Sequence, residues 1–131
     1  SQNGWGVRVN DTSKTTYSVI ISEIAGQPVT HMTYTFDGCI SLTTAPTIPS
    51  SVTNMWGTFW NCTSLTTAPA IPSRVTNMSY TFYICTSLTG TIEVNANPTY
   101  YDDCLLDTQI TGITGSCSQE TKDALIATNQ H

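Results

Sequence analysis

Residues 39–55 read CISLTTAPTIPSSVTNM, and residues 62–78 read CTSLTTAPAIPSRVTNM. Only three positions differ between them: Ile40/Thr63, Thr47/Ala70 and Ser51/Arg74. A third, decaying copy opens at Cys85 as CTSLTGTIEVNANPTYY. The spacing is constant. Met32, Met55 and Met78 stand twenty-three residues apart, as do Phe36, Phe59 and Phe82, then Cys39, Cys62 and Cys85, then Leu42, Leu65 and Leu88. A fixed period in the range of roughly 20–50 residues marks supersecondary units that cannot bury their apolar sides alone and do so by laying like residue on like.

The contents of one copy follow from its spacing. Met55, Phe59 and Cys62 fall at i, i+4 and i+7, the spacing of one helical face, with Thr58 on the same side. Asn54 before Met55, and Asn77 before Met78, suit a helix N-cap because the side-chain oxygen accepts an orphan backbone N–H. Ser64-Leu65-Thr66-Thr67 is short and rich in Thr, as a strand would be. Pro69 and Pro72 donate no ladder hydrogen bonds, so an extended return begins there. Ile71 and Val75 are spaced to dip back into the core. Each copy therefore predicts a short strand, an extended return and a short helix.

The pattern Cys-x2-Leu-x2-Ala-Pro-x-Ile-Pro-x2-Val-Thr-x-Met-x3-Phe-x2-Cys resembles the BspA-like, or Treponema-type, leucine-rich repeat. The resemblance covers residues 29–100. An extra proline before the Ile-Pro and a Met-x3-Phe one residue shorter than usual depart from that family. The resemblance implies a right-handed α/β repeat solenoid of short parallel strands and short helical segments. It also implies a secreted or surface-attached, non-catalytic protein that binds host or matrix molecules.

The flanks read as caps of a single domain of 131 residues: 1–28 before the repeats and 101–131 after them. Val7 and Val9 alternate with polar neighbours, as do Tyr17, Val19 and Ile21, around the turn formers Asn10-Asp11-Thr12-Ser13-Lys14. This predicts an N-terminal β-hairpin cap that includes Trp5. His31 takes the place of the capping Asn and reads as an ordinary polar residue. After Leu88 the repeat decays. Thr91-Ile92-Glu93-Val94 alternates as a strand, 100–107 is aromatic and acidic and reads as a helical turn, and 110–115 reads as a last strand with glycine bends. Ser118 then caps a helix running to 127, with Glu120 in its first turn favoured by the helix dipole and Leu125 and Ile126 closing the core.

Hydrophobic residues make up 39% of the chain and charged residues 10%, with a net charge of −5. So few Lys and Arg argue against nucleic acid and against an anionic membrane surface, both of which need a basic footprint. No apolar run is long enough to span a membrane. No signal-peptide pattern stands at Ser1, so any targeting segment is removed or lies outside this stretch. An extracellular or surface-exposed setting is expected.

Five cysteines allow more than one reading. Cys39, Cys62 and Cys85 share a register and read as small buried thiols, because spacings of twenty-three do not supply the converging ligands of a metal site. Cys104 and Cys117 lie outside that column and, in an oxidising compartment, can pair to staple the C-terminal cap. No nucleophile elbow, phosphate loop or metalloprotease helix is present, so no enzymatic activity, cofactor or metal is expected. Asp102, Asp103 and Asp107 form an acidic cluster without the spacing of a calcium loop.

The informative disagreement among the copies is in their outward positions. Tyr34, Trp56, Trp60, Tyr80 and Tyr83 fall on a side that the inward pattern of Met, Thr, Phe and Cys does not need. Two readings stand. The rings lie flat and extend the packing, or they form an exposed strip that anchors a partner, since aromatics bring large contact area at small entropic cost. The second makes the chain a surface-exposed binding or adhesion module for a protein or glycan. Its rival is a structural decoration, stalk or spacer of a virion or cell envelope that packs, and assembles, through the same face.

Overall fold

The computed structural model describes residues 4–18 and 22–129. Its regular elements are few and short: β1 (Trp5–Gly6), β2 (Glu23–Ile24), β3 (Gln27–His31), β4 (Thr89–Glu93), β5 (Gln109–Thr114) and a single helix, α1 (Gln119–Ala127). The strands make two small sheets, one of order β1-β3-β2 and one pairing β4 with β5 in parallel. The expected α/β leucine-rich-repeat solenoid, with a strand and a helix in every copy, is therefore corrected. Segments 32–39, 55–62 and 78–85 contain no helix, and Ser64, Leu65, Thr66 and Thr67 lie in no strand.

The reason is where the backbone N–H groups go. In an α-helix each N–H bonds the carbonyl four residues back. Here Met55, Gly57, Phe59 and Asn61 donate instead to the carbonyls of Asn77, Ser79, Thr81 and Tyr83, at 2.8–3.0 Å. The N–H groups between them close tight turns, Thr58 onto Met55, Trp60 onto Gly57 and Cys62 onto Phe59. Gly57 and Asn61 take positive φ of 62° and 64°, which no α-helix passes through. The alternation recurs from Met32, Tyr34, Phe36 and Gly38 and again from Met78, Tyr80, Phe82 and Ile84. Asn54 and Asn77 are turn closers rather than helix caps: their side-chain oxygens accept the N–H of Trp56 at 2.9 Å and of Ser79 at 3.0 Å.

Residues 100–107 are not a helical turn either. The carbonyls of Tyr100, Asp102, Cys104 and Leu106 accept from Met78, Tyr80, Phe82 and Ile84, so this stretch takes the register of the copies before it. Its sequence, aromatic and acidic, concealed that.

The N-terminal hairpin between Val7–Val9 and Tyr17 is also corrected. Val7 and Val9 donate to the carbonyls of His31 and Thr35, and β1 runs parallel to β3. Thr16 bridges Thr44 in parallel, and Thr43 donates to Thr15. Both arms are thus spent on the first copy instead of on each other. The antiparallel pair lies further on, where β2 meets β3 across Ala25 and Gly26, both of positive φ as a tight hairpin turn requires. Val19 and Ile21 lie outside the described residues.

The core is one continuous cluster. The Met, Phe, Cys and Leu columns are all buried, as are Ile71 and Val75. Phe36, Phe59 and Phe82 stack face to face, with centroids 5.2 and 5.3 Å apart and planes within 5°. Tyr17 extends the column to 5.4 Å from Phe36. Each buried Phe contributes about 1.5–3 kcal/mol of transfer free energy. The polar atoms that enter this core are satisfied. Thr58 Oγ1 donates to the carbonyls of Met32 and Met55, and Thr81 Oγ1 to those of Met55 and Met78. The thiols of Cys62 and Cys85 donate to the carbonyls of Phe36 and Phe59 at 3.1 and 3.0 Å.

Helix α1 closes the C-terminal end. Ser118 caps it by accepting from Thr121 N at 3.1 Å, Glu120 stands in the first turn, and Leu125 is buried. Just beyond the helix, Thr128 Oγ1 accepts Leu105 N and Asn129 Nδ2 donates to Thr108 O. These bonds hold the end without a disulfide. Cys104 and Cys117 are separate buried thiols, and the Cys104 sulfur lies 3.6 Å from Thr128 Oγ1.

Candidate functional site: a five-ring aromatic face

The site grows out of the repeated turns. Positions one, two and five after each methionine are not part of the buried Met, Phe and Cys columns. They hold Thr33, Trp56 and Ser79, then Tyr34, Gly57 and Tyr80, then Asp37, Trp60 and Tyr83. Because the N–H of one copy bonds the carbonyl of the next, each set is held in register. The rings therefore meet across copies. Tyr34 lies 4.8 Å from Trp56 and 6.1 Å from Trp60 between centroids. Trp56 and Trp60 are 5.6 Å apart. Tyr80 lies 5.1 Å from Trp56 and 5.2 Å from Trp60, nearly parallel to the latter at 25°. Tyr83 meets Trp60 and Tyr80 edge-on at 5.0 and 5.5 Å. All five rings are half-buried and form one contiguous cluster. Such edge-to-face and offset pairs contribute about 0.5–1.5 kcal/mol each beyond area burial.

Gly57 makes this cluster possible. A Cβ there would stand 3.0 Å from two carbons of the Tyr34 ring and 3.5 Å from Trp60. Its φ of 62° also suits glycine. The neighbouring copies place Tyr34 and Tyr80 at the same position with φ of 57° and 58°. Left-handed backbone costs a residue with a Cβ roughly 1–2 kcal/mol. Strain of this kind concentrates where a side chain must be aimed in a particular direction.

The polar ends of the rings are uncommitted. The hydroxyls of Tyr34, Tyr80 and Tyr83 and the indole N–H groups of Trp56 and Trp60 make no hydrogen bond to a described residue, in contrast to Tyr17, whose hydroxyl donates to the Asp11 carbonyl. Around the rings stand Asp37 in the Trp60 column, Asp102 in the Trp56 column and Asp103 in the Tyr80 column. Tyr80 N donates to Asp102 O at 2.8 Å, and Asp102 N to Ser79 Oγ at 3.1 Å, which fixes Asp102 beside the cluster. Among the described residues one cation reaches it: the Arg8 guanidinium carbon lies 5.7 Å from the Tyr34 centroid.

The five ring positions were readable from the sequence because they vary where inward positions do not. Arg8, the role of Gly57 and the placement of the acidic residues beside the rings were not. Their only sequence signal is shared position in the period, and Arg8 lies outside the period altogether.

His31 Nδ1 faces Thr30 Oγ1 at 2.7 Å. Among the described residues no three metal-ligating side chains converge, and no helix is long and apolar enough to cross a membrane. The thiols are buried, and that burial pushes Cys39 up to about 11 and Cys85 and Cys104 up to about 12, with Cys62 raised as well. No protein-family model matches the chain, and neither a curated protein nor a solved structure matches it.

Proposed function

We propose that the chain is a non-catalytic, surface-exposed binding or adhesion module that engages a protein or glycan through Tyr34, Trp56, Trp60, Tyr80 and Tyr83. The observation that supports this is the contiguous ring cluster itself, partly exposed, with five polar groups unspent on the described residues and two of its tyrosines held in left-handed backbone. The inward columns carry the packing without these rings, since the Phe, Met, Cys and Leu columns already fill the core. The resemblance of the repeated motif to BspA-like proteins supports a secreted or cell-surface setting.

The test is Trp56→Ala with Trp60→Ala, assayed against glycan and protein arrays. Array partners captured by the parent chain should be lost by the double variant, while circular dichroism and melting show a folded protein. A double variant that keeps every partner would sink the proposal. The structural alternative, a spacer or envelope decoration, uses the same face for packing. It is distinguished by concentration-dependent assembly in sedimentation that the double substitution abolishes, with no array partner captured.

A further inference from the structure

We infer that the partner presents a basic segment: an Arg- or Lys-rich stretch of a protein whose cationic heads seat on the ring faces of this cluster. The inference rests on the binding role proposed above and names the chemistry of its partner. Three observations carry it.

The first is a cation already in place. Arg8 comes from a different part of the chain and stands over Tyr34 at 5.7 Å, within the range of about 6 Å in which a guanidinium is attracted by a ring face. The cluster thus accepts a guanidinium at one margin, and no cation from the described residues stands over the partly exposed rings of Trp56, Trp60, Tyr80 and Tyr83.

The second is charge. Acidic residues occupy the ring columns in the copies at either end, Asp37 in the first and Asp102 and Asp103 in the last, where the backbone of 100–107 pairs with that of 78–84. Asp102 and Asp103 are exposed, and none of the three forms an ion pair with a described residue. Across residues 29–107 the basic side chains number one, Arg74, against five acidic ones: Asp37, Glu93, Asp102, Asp103 and Asp107. An anionic ligand meets repulsion at either margin of this face, and a cationic one meets attraction at both.

The third is geometry. The rings pack at mixed angles, from 25° to 85°, so they offer several separate faces and edges and not one flat platform. That suits several cationic heads spaced along an extended segment, and the free tyrosine hydroxyls beside them suit its backbone and side-chain donors.

The experiment uses the whole chain and reads tryptophan fluorescence and calorimetric heat on titration with an oligoarginine peptide, an oligolysine peptide, an oligoglutamate peptide and a neutral glucan oligosaccharide. Oligoarginine should bind, more tightly than oligolysine because the planar guanidinium stacks, and its affinity should fall as salt is raised. Trp56→Ala with Trp60→Ala should weaken it about tenfold or more. Asp37→Asn with Asp102→Asn should weaken it and flatten its salt dependence. Arg8→Ala should strengthen it by vacating the Tyr34 face. If the tryptophan variant loses its circular dichroism signal, the aspartate pair and Arg8→Ala carry the test, since neither touches the core. Oligoarginine that binds unchanged to the aspartate and Arg8 variants would overturn the inference, because net charge alone would then explain the association. Glucan binding that depends on Trp56 and Trp60, with no oligoarginine binding, would overturn the basic partner and leave the binding role standing. Failure of every array and every probe, with self-assembly through the rings, would remove both.

Discussion

At the scale of single residues, the sixth position after each methionine is the clearest record of what the backbone demands. It holds Gly38, Asn61, Ile84 and, in the register of residues 100–107, Asp107, with φ between 63° and 74°. Glycine, asparagine and aspartate tolerate the left-handed region, the last two through local hydrogen bonding. A β-branched residue does not, and Ile84 is an outlier in its own column. Ile84→Asn should therefore raise stability by about 1 kcal/mol, the relieved strain exceeding the burial lost from a half-exposed side chain. A urea midpoint that moves down would show that its packing outweighs its backbone cost. Inward residues carry the opposite sign. Phe59 is stacked on both faces and fully buried, so Phe59→Ala should cost about 3–5 kcal/mol. A loss within the scale of exposed sites would contradict the stack. Which side chains face in was legible from the sequence, because identity across copies at Met, Phe, Cys and Leu is a packing constraint. The left-handed columns were not. Their residues are Gly, Asn, Tyr, Ile and Asp, which share no chemistry that marks a backbone angle.

At the scale of the element, the Met-x3-Phe-x2-Cys spacing marks the inward side but not the path of the backbone. A helix and this alternating turn both bring i, i+4 and i+7 to one side. They differ in where the N–H groups go, and that partner lies twenty-two residues away in the next copy, beyond any local window. Tertiary pairing overrides the local period here. Elsewhere the local signal prevailed. Ser118 with Glu120 opens α1, whose cap Ser118 accepts from Thr121 N. The proposed site inherits its shape from the turn and not from a helix, since Gly57 at positive φ leaves room for the Tyr34 ring. Gly57→Ala should cost about 1–2 kcal/mol in backbone strain and displace Tyr34 from Trp56 and Trp60. The second effect separates it from mere destabilisation. Near-ultraviolet circular dichroism of the folded variant should lose part of its aromatic signal, and an unchanged spectrum would show that the rings do not depend on the missing Cβ.

At the scale of the whole molecule, the thiols tie the interior to pH. Cys39, Cys62, Cys85 and Cys104 are buried along the length of the core, and desolvation is the first cause of the upward shift of each. A thiol is neutral when protonated, so the folded chain retains protons that the unfolded chain releases above the ordinary value of 9.0. Stability then falls with rising pH wherever the folded state binds more protons. This contribution is complete below pH 9.0, erodes above it, and is lost as pH passes through the folded values of about 11 for Cys39 and about 12 for Cys85 and Cys104. The urea midpoint should hold steady from pH 7 to 8 and decline steeply beyond 9.0. The comparison that isolates the thiols is Cys39→Ala with Cys85→Ala, whose decline should be shallower than that of the parent chain. The same burial keeps the thiolate fraction negligible near neutrality. A thiol reagent should therefore label these four residues only once the chain is unfolded in urea. Rapid labelling of all four in native buffer would mean that the core opens to solvent, and the continuous Met, Phe, Cys and Leu packing on which the aromatic face is mounted would have to be given up.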